Sequence, residues 1–208
     1  DTKITTLDGV EHRLKRHELM NCNEKEPMCI GGVFGGKDSG VSEETTSIFL
    51  ESAYFEPVTI RKGAKAHGLN TDSSFRFERG IDPNTTIDAL KKAVLMLVEI
   101  TGAEIASNID DHYPTPIQNF NVKLRLAKVV ELLCVEINKE KIKSILTNLE
   151  IKILAEQDGI LDLEVPAYRV DVLRDVDLIE DILRIYGYDN IQIPSKFSFS
   201  YVPNKKVS

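Results

Sequence analysis

The chain has no tryptophan, only three cysteines and three methionines, and no internal repeat. Its cysteines, Cys22, Cys29 and Cys134, are odd in number and include no C-x-x-C pair. That pattern argues against a disulfide framework or a zinc site and fits a reducing cytoplasm. No apolar run approaches membrane-spanning length. Basic residues are in deficit, 26 Lys and Arg against 33 Asp and Glu, for a net charge of -7. A free-standing nucleic-acid binder, which needs a basic face, is disfavoured; a module that borrows its electrostatics from a larger assembly is not. The 208 residues are 42% hydrophobic and 28% charged, ordinary for a soluble globular protein and sufficient for one large domain or two small ones. The chain starts at Asp1 inside a strand-like pattern, without Met, and reads as a piece of a longer protein.

Gly31 to Asp38, GGVFGGKD, matches the phosphate-loop pattern G-x-x-x-x-G-K-[ST] except at its last position. A phosphate loop needs a hydroxyl for the metal and a helix whose N-terminus faces the anion. Asp38 instead adds a negative charge, and the following SGVSEETTS carries no apolar helical period. The stretch reads as a glycine loop between strands, with glycines at positive φ.

Residues 1–55 read mostly as strands: a hairpin with its turn at Asp8-Gly9, then ELMNCN, EPMCIGGVF and SIFLESAYF. Pro57 opens a helix that Gly68 ends, and DSSFRFERG follows as a polar and aromatic segment. TIDALKKAVLMLVEITGA predicts an amphipathic helix with Ala89, Ala93, Leu97 and Ile100 on one face and Gly102 at its end. HYPTPIQNF breaks all periodicity and places a domain boundary near Asn119, giving domains 1–118 and 119–208. Beyond it come a strand, two short helices, a hairpin turning at Asp158-Gly159, and a last helix closed by Gly187. The fold class is α+β, a mixed or antiparallel sheet with helices followed by a small α+β module.

Period two places Glu51 with Phe49, Ala53 and Phe55 in an apolar strand. A carboxylate there needs a partner, either a buried arginine such as Arg76 or Arg79, or a role as acceptor at a pocket floor. Asp171, Asp177, Glu180 and Asp181 form an acidic set, the last three at helical spacings that share a face. They suit Mg²⁺; equally, they complement a helix N-terminus and pair with Arg169, Arg174 and Arg184. His12, His17 and His112 read as isolated surface or loop residues. His67 reads as a cation at a helix C-terminus; a triad with Asp72 and Ser73 or Ser74 carries little weight without geometry. FRFER, at 75–79, is a packed turn or a run that stacks on bases.

In order, GGVFGGKDSGVSEET, FLESAYFEP and HGLNTDSSFRFERGID resemble the central part of the β-subunit family of bacterial phenylalanyl-tRNA synthetases. VPAYRVDVLRDVDLIEDILRIYGYDNI is similar to the end of the small domain that follows the editing domain there. The resemblance implies an N-terminally truncated editing domain, which hydrolyses tyrosine misattached to tRNA(Phe), and a small winged-helix-like domain after it. It implies an editing pocket of Gly35, Glu51, Thr71 and Ser73, with Glu51 reading the tyrosine hydroxyl and Gly35 keeping the pocket open. No catalytic residue is implied securely; a positioned water attacks the ester. Ser73 stands where the family often has Ala. The resemblance also implies a Mg²⁺ position at Asp171, Asp177, Glu180 and Asp181, with Asp181 replacing a glutamate. ATP is used by the whole enzyme and not by this piece. The implied partners are an α subunit, in an α2β2 heterotetramer, and tRNA(Phe). Upstream strands carrying further pocket residues, a histidine among them, would lie before Asp1, so the piece alone is expected to edit poorly or not at all. The alternative is a non-catalytic scaffold that docks the α subunit or nucleic acid.

Overall fold

The computed structural model describes residues 2–16 and 18–191, so His17 lies outside the described residues. They fall into two compact units, one drawn from the described residues up to 120 and from 166–171, the other from 121–165 and 172–191. Both combine helices with antiparallel strand pairs, the α+β class expected. Among the described residues no helix is long and apolar enough to cross a membrane.

The first unit opens with a hairpin of β1 (Lys3–Thr5) and β2 (Glu11–Arg13). The Thr6 hydroxyl donates to Asp8 Oδ1 at 2.6 Å, and Gly9 takes φ +82°, a turn conformation that glycine adopts without steric cost. An antiparallel sheet follows in the order β3 (Met20–Cys22), β4 (Pro27–Ile30), β5 (Phe34–Gly35). Helix α1 (Pro57–His67) starts on a Glu56 side chain that accepts from the Val58 and Thr59 amides, and ends at Gly68 with φ +65°. The core gathers Ile4, Ile30, Val33, Ile60 and Ala64, with Phe55 and Phe77 packed against it edge to face at 4.8 Å.

Three elements differ from the sequence reading. SIFLESAYF forms no strand; residues 46–56 are irregular, Phe49 is 95% exposed and Glu51 is exposed. A strand exists only where a neighbour satisfies its backbone groups, and none of the described strands pairs with this one. Conversely, DSSFRF forms helix α2 (Asp72–Phe77), because Thr71 and Ser74 build a reciprocal capping box at its start. Helix α3 (Thr86–Thr101) forms and ends at Gly102 as expected, but its anticipated core face is not buried. Ala93 and Leu97 are half-buried, whereas Ala89 and Ile100 are exposed.

In the second unit β6 (Phe120–Arg125), β7 (Lys152–Gln157) and β8 (Ile160–Val165) make a sheet with β8 central. Asp158 and Gly159 both take positive φ, +51° and +74°, which matches the twist of a tight hairpin. Leu161, Leu163 and Val165 alternate into the core. Helices α4 (Leu126–Leu133), α5 (Lys139–Asn148) and α6 (Asp175–Tyr186) contribute Val129, Leu146, Leu178 and Ile182 to it.

Candidate functional site

The glycine stretch is strand, turn, strand. Gly31 to Val33 join β4 to β5, and Lys37–Ser39 form a single 3₁₀ turn instead of the helix that a phosphate loop requires. Only Gly32 in this stretch has positive φ, at +67°. A Cβ on it would stand 2.6 Å from Phe55 Cδ2 and 2.8 Å from Ile60 Cδ1, so both conformation and packing require glycine. Gly36 is needed for a different reason: a Cβ there would strike the Met28 carbonyl.

Two hydroxyls from the start of α2 grip the turn. Thr71 Oγ1 donates to the Val33 carbonyl at 2.6 Å, and Ser73 Oγ donates to the Gly32 carbonyl at 3.0 Å. Their protons are thereby committed to the backbone. Ser74 is buried within the α2 capping box. None of these hydroxyls is arranged as a nucleophile with His67, whose Nε2 lies 2.9 Å from Glu18 Oε2.

On the sheet, Asn21, Cys29 and Gly35 are directly opposed across β3, β4 and β5, so they share one face. Gly35 ends the row against the Leu7 side chain, which comes within 3.0 Å of where a Cβ would stand. Glu51 reaches the other end of the row. Its Oε2 accepts from Asn21 Nδ2 at 2.5 Å, while Oε1 has no partner among the described residues. The alternative of a pairing with Arg76 or Arg79 is not what holds it. Arg79 donates to the Phe75 carbonyl at 2.8 Å and to Glu78 at 2.9 Å. The burial proposed for Glu51 is likewise corrected: the side chain is exposed because its segment forms no strand.

Burial, and after it the Glu51 carboxylate, push the Cys29 thiol above its ordinary value. It is therefore a neutral thiol near pH 7 and no nucleophile. Neither Asn21 nor Cys29 is linked to Glu51 by the sequence; they stand in two short strands, and only the register places them beside it. The His67–Glu18 pair was missed too. His67 is no exposed cap: the two side chains are 7% and 1% exposed, and the His12 ring stands edge-on to His67 at 5.0 Å. His112 is exposed, as read.

Three of the four acids are paired with arginines. Asp171 pairs with Arg169 at 3.4 Å, Asp177 with Arg174 at 2.8 Å and Glu180 with Arg184 at 2.8 Å. Asp181 is engaged as well. Among the described residues no three His, Cys, Asp or Glu side chains gather to hold a metal ion. A divalent cation at Asp177 and Glu180 would have to displace their arginine partners. Asp177 Oδ2 instead caps α6, accepting from the Arg174 amide at 2.8 Å and the Leu173 amide at 3.2 Å. Arg174 above all holds the Asp177 carboxyl below its ordinary 3.8. The folded value is depressed, so the cap's contribution is present above that range and is lost as pH falls through the folded value. Asp177→Ala is expected to cost about 1 kcal/mol at pH 7. The difference from the native chain in urea midpoint should shrink as the pH is lowered below 3.8. A difference that held constant to low pH would show that the carboxylate is not the stabilising group.

Residues 1–102 match the family described as the B3/4 domain, and residues 122–188 match the tRNA synthetase B5 domain. The chain is 57% identical over 199 residues to the phenylalanine–tRNA ligase beta subunit of Bacteroides fragilis (strain YCH46), and 55% identical to that of Bacteroides thetaiotaomicron; each alignment covers 96% of this chain and 24% of the relative. Against the beta subunit of Geobacter sulfurreducens the identity is 39%, over 97% of this chain and 26% of the relative. The chain thus spans about a quarter of the length of the curated relatives it matches.

Proposed function

Because the chain belongs to the phenylalanine–tRNA ligase β-subunit family, we propose that its first unit carries a hydrolytic editing pocket for tyrosine misattached to tRNA(Phe). The observation that supports this most is the Glu51 carboxylate, tethered by Asn21 through one oxygen and unoccupied at the other, at the end of a sheet row that closes in Gly35. A synthetic pocket for phenylalanine discriminates weakly against an isostere that only adds a hydroxyl, so a second site must reward that hydroxyl. A charged acceptor does so, because a phenol that donates to a carboxylate makes one of the stronger hydrogen bonds available.

In this reading Glu51 Oε1 accepts the phenolic O–H, Gly35 leaves room for the aminoacyl group, and Thr71 and Ser73 hold the Gly32–Val33 turn that borders it. Water adds to the ester carbonyl, the C–O bond to the ribose breaks, and tyrosine leaves with the tRNA hydroxyl restored. No side chain of this chain is assigned as general base; alignment of the water supplies the acceleration. The second unit is a winged-helix-like module that helps to dock the α subunit of an α2β2 assembly. ATP and Mg²⁺ belong to the synthetic reaction of the whole enzyme, and no step is assigned to them here. A scaffold would hold Glu51 on Arg76 or Arg79, and the Asn21 contact does not favour it.

The test is deacylation of tyrosyl-tRNA(Phe) and phenylalanyl-tRNA(Phe) by the assembled enzyme bearing this sequence. The tyrosyl ester is expected to disappear selectively. Asn21→Ala should lower that selectivity about fivefold by releasing the Glu51 carboxylate, a loss on the order of 1 kcal/mol. If the two esters decay at one rate in the native enzyme, the editing assignment fails.

A further inference from the structure

The motif FRFER finds no use in the reading above, yet the fold gives it a definite setting. Helices α1 and α2 border an open cleft of about 390 Å³ lined by Arg61, Lys65, Asn70, Phe75, Glu78 and Arg79, together with Ala64 and Leu69. In a chain of net charge -7 this cleft carries three cations against one carboxylate. Two of the cations are held in place by the backbone. Arg61 Nη2 donates to the Glu78 carbonyl at 3.2 Å, and Arg79 Nη1 to the Phe75 carbonyl at 2.8 Å. The Arg79 guanidinium lies over the Phe75 ring, 3.6 Å from its centroid, and both side chains remain about half exposed.

We propose that this cleft binds single-stranded RNA, with the phosphodiester backbone along Arg61 and Lys65 and a base stacked on the Arg79–Phe75 pair. The chemistry selects the ligand. Cations alone would accept any anion, but an exposed aromatic ring carrying an arginine plane is a stacking platform, and unstacked bases are what such platforms hold. An acidic peptide gains nothing from it. Duplex RNA hides its base faces and gains little more. The carboxylate of Glu78, 2.9 Å from Arg79, competes with the phosphate and keeps the site weak in isolation.

The proposal shares its RNA partner with the editing reading but none of its chemistry. RNA binding here by the chain, with the tyrosyl ester spared by the assembled enzyme, would sustain the cleft and sink the editing assignment; the reverse result would do the opposite.

The experiment is fluorescence anisotropy of a labelled single-stranded RNA of about a dozen nucleotides with the 208-residue chain over a salt series. Two phosphate contacts predict a log–log salt slope of about -1.4. Arg61→Ala with Lys65→Ala should bring it close to zero. Arg79→Lys keeps the charge and the slope but loses the plane, and should weaken binding about tenfold. Glu78→Gln should tighten binding several-fold, a gain that misfolding cannot imitate. The proposal is overturned if the native chain shows no binding at low salt, if these variants bind like the native chain, or if polyglutamate competes as well as unlabelled RNA, which would assign the cleft to acidic peptides.

Discussion

Replacing Glu51 with alanine in the assembled enzyme should slow clearance of tyrosyl-tRNA(Phe) about 10- to 100-fold while leaving phenylalanylation unchanged. The magnitude is that of a hydrogen bond to a charged group, about 1.5–3 kcal/mol, when the bond is made only by the misattached amino acid. The phenylalanyl ester has no hydroxyl to present, so its slow hydrolysis should not change, and the ratio between the two esters should collapse. Glu51→Gln keeps the shape and an acceptor oxygen but not the charge, and should fall between the native and alanine forms. Asn21 provides the internal control. Its amide meets Glu51 Oε2 at 2.5 Å, so removing it should act on the tyrosyl ester through Glu51. In an enzyme already carrying Glu51→Ala, Asn21→Ala should have almost no further effect, because residues in one hydrogen-bonded chain are not additive. If Glu51→Ala cleared the tyrosyl ester as fast as the native enzyme, the carboxylate would be structural, and the scaffold reading would gain at the expense of editing.

The largest effect on stability is expected at His67. Its Nε2 lies 2.9 Å from Glu18 Oε2, which also accepts from the Lys15 amide at 2.8 Å, in a setting almost closed to solvent. Truncating the imidazole leaves a carboxylate in the interior without its ring partner. Breaking a buried pair from one side costs about 3–5 kcal/mol, more than the pair itself contributes, because the remaining group keeps its desolvation penalty. His67→Ala should therefore destabilise the first unit by about 3 kcal/mol. A chain of two units need not unfold in a single step, so amide exchange within β1 to β3 and α1 is the appropriate measurement. The protection lost there should leave the β6–β8 sheet untouched. Removing both partners, with Glu18→Leu and His67→Leu, should cost less than the alanine variant alone. Equal protection in His67→Ala and the native chain would show that Glu18 is satisfied without the ring.

These two sites show where the sequence was legible. Helix ends and hairpin turns rest on local chemistry: Pro57 starts α1, Gly68 and Gly102 end their helices at positive φ, and Asp158-Gly159 turns its hairpin. Each depends on the dihedral preferences of one or two residues and so can be read without the fold. The family was legible for a related reason, since its motifs are contiguous. The acidic residues of α6 were open to two readings, a metal position or arginine pairs, and only coordinates could place Arg169, Arg174 and Arg184 against them.

SIFLESAYF shows the limit from the other side. Its composition is that of a strand, but strand formation depends on a partner for every backbone donor and acceptor, which composition does not encode. The same holds for Glu51 and Asn21, thirty residues apart and joined by one hydrogen bond. It holds for His67 and Glu18, which are 49 apart. By itself the sequence determined the class, the turns, most of the helices and the family, because these follow from short-range torsional and patterning rules. The tertiary structure alone decided which carboxylate was tethered, which was buried and which were neutralised, because those outcomes depend on distances between residues that the chain brings together only by folding.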